Sequence, residues 1–290
     1  MKEIAVVAND AGASNILFSI LWDQGWNILG ECTLHPVVTG PAANIWGKYF
    51  PTIDSYHNIN AINVKLDGVV TGTGWSSKIE HEARVWANQR RIKTMALLDH
   101  WVNYTSRFVR DGVMLLPDEI WVVDEWAEKM AHDTFRNVAI RRFENSYLTH
   151  QVAKIQKPPA DGALLYVLEP ARADWGRGRQ GEFQALEYTL KNLGFFFNAP
   201  IRRILLRPHP SDPRDKYDSY LQFDSRIELD FSTDICGAIN QADVVVGTES
   251  FALTLALAAG RPVFSSLPPW APELRLPQEG ILQIRHIVPS

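Results

Sequence analysis

A strand, a tight turn and a helix recur along this chain, and the pattern stops once and then restarts. Residues 4–8 form a short apolar run, residues 9–14 read Asn-Asp-Ala-Gly-Ala-Ser, and residues 15–23 carry apolar side chains at helical spacing. That order predicts strand, turn, helix. It returns with strands over 36–39, 66–71, 94–98 and 119–123, and helices over 42–50, 78–90 and 125–135. Residues 154–162 contain Pro158-Pro159 and small side chains, which predicts a linker. Strands then follow over 163–168, 203–206, 227–229, 243–246 and 262–265, with helices over 181–193, 235–241 and 251–259. Alternating strands and helices impose parallel sheets, because parallel neighbours need a long crossover. At about 150 residues per domain, the 290 residues suit two Rossmann-like α/β domains, expected over 1–156 and 157–290.

Composition narrows the classes. Hydrophobic residues at 46% and a formal charge of −4 describe a folded chain rather than a disordered one. The longest apolar runs fall far short of the roughly 20 residues of a membrane helix, and the chain opens Met-Lys-Glu straight into a strand-like run. No signal peptide or transmembrane segment is expected, and the expected location is cytoplasmic, with peripheral membrane association left open. Cys32 and Cys236 lie far apart, which excludes a disulfide framework or a four-thiolate zinc site. Neither half is basic enough for a general nucleic-acid surface. The eight histidines show no H-E-x-x-H spacing, so no metal site is expected. Only Gly12 stands where a dinucleotide fingerprint needs three spaced glycines, and P-loop and G-x-S-x-G signatures are absent.

Ligands of doubly wound sheets sit at the carboxyl ends of the strands, so the residues just after each strand matter most. Asp10 after the first strand is placed as a general base, and Gly12 allows a close backbone approach. Thr73, Gly74 and Trp75 form a small-residue loop that could line an acceptor pocket, with Glu80 on the following helix. Asp99 and His100 are the second acid–base candidates, and Trp101 and Asn103 follow them on the acceptor side. Asp10 and Asp99 could equally cap or anchor turns. In the second half, Arg207, His209 and Pro210 make a stiff loop with two donors for an anion. Thr248, Glu249 and Ser250 open a helix, whose N-terminus favours phosphate, though either hydroxyl could simply cap it. Glu169 closes the first strand of that half. Arg172, Arg177 and Arg179 lie in a Gly-rich loop that reads mainly as solvated.

At these residues the second half resembles the C-terminal domain of GT-B glycosyltransferases. Residues 242–262, ADVVVGTESFALTLALAAGRP, are similar to the nucleotide-sugar-binding segment of those enzymes and of related nucleotide-sugar epimerases. The His209-Pro210 pair with the later Thr/Ser motif further resembles bacterial sialyltransferases and Kdo transferases. The resemblance implies a GT-B-like pair of domains whose parallel sheets face a central cleft. It also implies a nucleotide-sugar donor, CMP-linked and of the nonulosonate or Kdo type, with His209 on the CMP portion and Ser250 with Thr248 on its phosphate. The acceptor would be a glycan, a lipid-linked glycan or a protein, and no separate cofactor or metal is implied. In the sialyltransferases the base lies in a doubly acidic motif before glycine, from which Asn9-Asp10-Ala11-Gly12 departs. The other expectations left open are an epimerase or hydrolase of the same fold, and an inactive binding protein.

Overall fold

The computed structural model describes residues 1–74, 77–196 and 200–288. The chain divides into two compact units, Met1–Tyr147 and Leu148–Ser290. The first unit runs β1 (Lys2–Ala8), α1 (Ala11–Leu29), β2 (Cys32–Val38), α2 (Pro41–Tyr49), β3 (Gly68–Thr71), α3 (Ile79–Gln89) and β4 (Lys93–Leu97). A small antiparallel hairpin of β5 (Val109–Arg110) and β6 (Val113–Met114) follows, then β7 (Glu119–Val122), α4 (Glu125–Thr134) and β8 (Ala139–Arg142), and α5 (Ser146–Val152) starts at the end of this unit and continues in the second. Strand order is β2-β1-β3-β4-β7-β8, with every pair parallel.

β1 shows why the sequence chose this layout. Its residues from Ile4 to Ala8 are all buried. Ile4, Val6 and Ala8 pack under α1 and α2, while Ala5 and Val7 face the cluster with Ala83 and Ala87 of α3. A strand buried on both faces loses the polar–apolar alternation and reads as a continuous apolar run. The edge strand β8 reads Ala-Ile-Arg-Arg and is largely exposed, so it carries no such signal in the sequence.

The second unit runs β9 (Ala163–Val167), α6 (Gly181–Lys191), α7 (Leu193–Phe196), β10 (Arg203–Arg207), α8 (Asp218–Leu221), β11 (Ile227–Leu229) and α9 (Ile235–Asn240). It continues with β12 (Val244–Gly247), α10 (Phe251–Ala258), β13 (Val263–Ser265), β14 (Ile281–Gln283) and α11 (Ile284–Ile287). Its strand order is β11-β10-β9-β12-β13-β14, again all parallel. Its core gathers Leu164, Tyr166, Leu206, Val246 and Phe264 from the strands with Leu186 of α6. α10 is apolar nearly all round, and Ala252 to Ala256 are buried.

Residues 148–156 belong to the second unit, not to the first as the expected boundary had them. Their backbone is captured there. Arg261, 2% exposed, donates to the carbonyls of Gln156, Ile239 and Ala242. Asn240 Oδ1 accepts from Gln156 N–H at 2.7 Å, and its Nδ2 donates to the Lys154 carbonyl. Asp243 then accepts the N–H groups of Ala160, Gly162 and Ala163, which sets the start of β9. The Pro158-Pro159 segment is therefore a strap across its own unit. Arg261→Ala should remove three hydrogen bonds to backbone carbonyls and lower stability by about 2–4 kcal/mol in urea unfolding. Arg261→Lys should recover only part of it, since a lysine lacks the forked geometry. Equal stability of all three proteins would contradict this reading.

Candidate functional site

Strand order decides where each sheet can hold a ligand. In the first unit the chain moves outward from β1 to β2 and then in the opposite direction from β1 to β3. In the second it runs from β9 out to β11, then from β9 to β12. Loops leaving adjacent strands diverge at such a reversal and open a crevice at the strand carboxyl ends. The reversal points are β1/β3 and β9/β12. They fall on residues 9–12 with 72–74, and on Glu169 with residues 248–250.

In the first unit Asp10 caps α1, its Oδ1 accepting from Ala13 N–H at 2.9 Å. Gly74 lies against the other carboxylate oxygen so closely that a Cβ there would collide with it. A Cβ on Gly12 would stand 2.8 Å from Asp99 Oδ2, and one on Gly72 2.6 Å from Glu80 Oε1. The small residues of the two loops thus let three carboxylates converge. Glu80, in the first turn of α3 and 2% exposed, ties the loops together: Oε1 accepts from Asn9 N–H at 3.2 Å and Oε2 from Gly74 N–H at 2.5 Å. Burial, with the charge of Asp10 added, pushes Glu80 up to about 7. Burial and the neighbouring Asp99 also raise Asp10.

Asp99 is neutralised differently. Arg107 Nη1 lies 2.6 Å from its Oδ1, with both side chains largely buried. The same guanidinium donates to Thr73 Oγ1 and to the Val102 carbonyl. Arg84, 1% exposed, donates to Thr71 Oγ1 and the Gly72 carbonyl, and burial lowers it to about 10. Arg110 donates to the Gly74 carbonyl at 2.8 Å.

Several expected acceptor-side residues turn out to be structural. Trp101 is 4% exposed and its indole N–H goes to Asp124 at 2.8 Å, so it offers no open face. Thr73 is 1% exposed and donates to the Leu97 carbonyl. His100 Nδ1 accepts the Trp101 N–H. Asn103 is exposed in the left-handed region at φ 61°, and its carbonyl takes Arg107 N–H. Trp75 lies outside the described residues. Arg107 gave no signal in the sequence, because its pairing with Asp99 is a product of the fold. Glu80 did: a first-turn glutamate after a glycine loop.

In the second unit Glu169 sits at the mouth of α10. Its Oε2 accepts the Thr248 hydroxyl and, at 3.0 Å, the Glu249 N–H. Those are two of the donors expected to hold a phosphate, and a carboxylate of the protein takes them in this structure. Ser250 caps the helix by accepting from Ala252 N–H at 3.2 Å, which leaves its hydroxyl proton to donate outward. Glu249 accepts from Arg275 N–H at 2.9 Å and Nε at 3.0 Å. Sequence reading missed Arg275, which returns to the site from the loop beyond β13.

Arg207 is committed elsewhere. It pairs with Asp230, which is nearly inaccessible, and donates to the Ser232 carbonyl. It braces the β10 loop instead of facing an anion as expected. His209 and Pro210, next along that loop, are exposed. The Ser211 N–H donates to His209 Nδ1 at 3.2 Å, which places the ring proton on Nε2, and Asp212 accepts His209 N–H. Asp212 is itself fixed by Lys216, which also binds buried Glu182 at 2.8 Å. Arg177 stacks 3.8 Å over Trp270, and Arg179 pairs with Glu187, so both are engaged with their own unit. Arg172 is exposed. Among the described residues no group of three or more His, Cys, Asp or Glu could hold a metal ion, and no helix is long and apolar enough to cross a membrane.

No protein-family model and no curated protein sequence matches the chain. Solved structures do. MnaA of S. aureus, solved with UDP, superposes at a TM-score of 0.59 with 11% identity, over 91% of this chain and 79% of that one. UDP-GlcNAc 2-epimerase of Neisseria meningitidis, bound to UDP-GlcNAc, gives 0.56 and 13%, over 91% and 82%. The glycotransferase of kitacinnamycin gives 0.51 and 12%, over 91% and 80%. This likeness shows the fold: two Rossmann-like domains with parallel sheets, as in GT-B proteins.

Glu80 makes a pH prediction. From its ordinary 4.5 to about 7, the folded protein binds more protons than the unfolded chain. The contribution of Glu80 to stability is therefore complete below 4.5 and lost as pH rises through 7. The loss is on the order of 3 kcal/mol at most. Chemical unfolding at acid and alkaline pH should show this fall in the wild type and a flatter profile in Glu80→Gln. Parallel profiles would contradict the assignment.

Proposed function

We propose that the protein is a glycosyltransferase that moves a sugar from a nucleotide-activated donor to an acceptor hydroxyl. The observation that carries this is the placement of polar groups at the reversal points of both sheets in a GT-B fold. The second unit binds the donor: His209 Nε2–H and the Ser250 hydroxyl donate to it, while Thr248 Oγ1 and Glu249 N–H meet its phosphate once Glu169 turns aside. Glu249, and Glu169 when turned, accept from sugar or ribose hydroxyls. The exposed His-Pro loop favours a CMP-linked donor of the nonulosonate or Kdo type, by the resemblance that loop carries.

The first unit supplies the base. Asp99 has its charge met by Arg107, whereas Asp10, half-buried, has no cation at hydrogen-bond distance among the described residues. Asp10 takes the proton of the acceptor hydroxyl. The acceptor oxygen bonds to the anomeric carbon, the bond to the donor phosphate breaks, and the nucleotide leaves with the electron pair. The N-terminal dipole of α10 offsets the charge that develops there. No step calls on a metal or a separate cofactor. The acceptor class is a glycan, a lipid-linked glycan or a protein.

The same fold houses 2-epimerases, and the convergent carboxyls Asp10 and Glu80 suit proton abstraction from carbon as well. Product analysis without acceptor separates the two: an epimer or free sugar would favour that second reading. For binding itself, calorimetry with CMP and CMP-, UDP- and GDP-sugars should give saturable heat. His209→Ala and Ser250→Ala should each weaken the best ligand roughly 5–10-fold, the worth of one hydrogen bond of about 1 kcal/mol. Unaltered affinity in both variants would remove the donor-site assignment.

A further inference from the structure

Glu80 is buried, ionisable and unused in the transfer step. Three features of its surroundings define what it does. First, it binds both loops of the β1/β3 crevice, through Asn9 N–H and Gly74 N–H. Second, both carboxylates crowd the same point beside Gly74: its ideal Cβ would lie 3.3 Å from Glu80 Oε2 and against Asp10 Oδ2. Third, the two carboxyls differ in access to water, since Glu80 is 2% exposed and Asp10 only half-buried.

Two carboxylates this close cannot both carry full charge at low cost. The groups facing them are few. Arg84 lies on the same helix as Glu80, and Arg107 draws on Asp10 from a distance while its Nη1 bonds Asp99. Arg110 spends a nitrogen on the Gly74 carbonyl, and His81, next on α3, is lowered by burial and by Arg84 and Arg110. Among the described residues no cation forms an ion pair with either carboxyl, so a proton offsets the charge that these arginines leave. Charge is cheaper where water reaches it, and the more buried carboxyl takes the proton.

We propose that Glu80 is the positioning residue for Asp10: it clamps the two loops and holds the one proton the pair shares, which leaves the negative charge on Asp10. This deepens the assignment of Asp10 as base and rests on it only for its meaning in catalysis. Asp10 is then ready to accept a proton from an acceptor, while Glu80 stays neutral and out of reach of solvent.

Infrared spectroscopy reads the proton directly and needs neither donor nor acceptor. In the full-length protein at slightly acid pH, a buried protonated-carboxyl band should shift when glutamate is 13C-labelled and stay when aspartate is. It should fade as pH rises through about 7. Glu80→Gln should remove it, and Asp10→Asn should make it fade at a lower pH than in the wild type, because the neighbouring negative charge that raises Glu80 is gone. A band that follows the aspartate label, or no band at all in the wild type, would overturn the proposal. The labelled wild type decides the matter even if a variant fails to fold. Loss of nucleotide binding in a separate titration would sink the transferase reading and leave this proton assignment standing.

Discussion

The structure depends on a geometric constraint: a parallel sheet that grows in both directions from one strand must open at its carboxyl edge where the direction changes. Both sheets do this once, at β1/β3 and at β9/β12. Buried carboxylates and their donors gather there. The crevice in the first unit holds Asp10, Glu80 and Asp99, and the crevice in the second holds Glu169, Thr248 and Glu249. Along the central strands the sheets are sealed by apolar side chains.

The two crevices satisfy their polar groups by different means. In the first, arginines and a shared proton balance the carboxylates, and glycines supply the room. In the second, the protein fills its own anion position with Glu169 and pairs Glu249 with Arg275. A buried donor left without an acceptor costs about 1–3 kcal/mol, and Glu169 meets that need for Thr248 and the Glu249 N–H. It also means that a ligand's net gain is the difference between its contacts and those it replaces.

Much of this was legible in the sequence. The apolar runs of β1, β9 and β12 announce strands buried on both faces, and the restart after Pro158-Pro159 announces a second sheet. Asp10, Gly12, Gly74, Glu169 and the 248–250 segment could be picked out as the residues that follow the central strands, where the loops of a doubly wound sheet diverge. What the sequence hid were matters of partnership. Arg207 looks like an anion clamp until Asp230 is seen beneath it, and Trp101 looks like a sugar platform until Asp124 is seen holding its indole. Such pairs join residues distant in sequence, with no local pattern to betray them. The exposed edge strand β8 and the short β14 lack the apolar run that reveals a central strand.

The central claim is that the reversal point of the second sheet is where a nucleotide binds. The most direct measurement is the amide NMR spectrum of the protein titrated with CMP. Binding at β9/β12 should move the signals of Glu169, Thr248, Glu249 and Ser250 together with His209, and leave the exposed face of α6 and α8 unchanged. Saturable shifts confined to other surfaces, with those five residues still, would contradict the account.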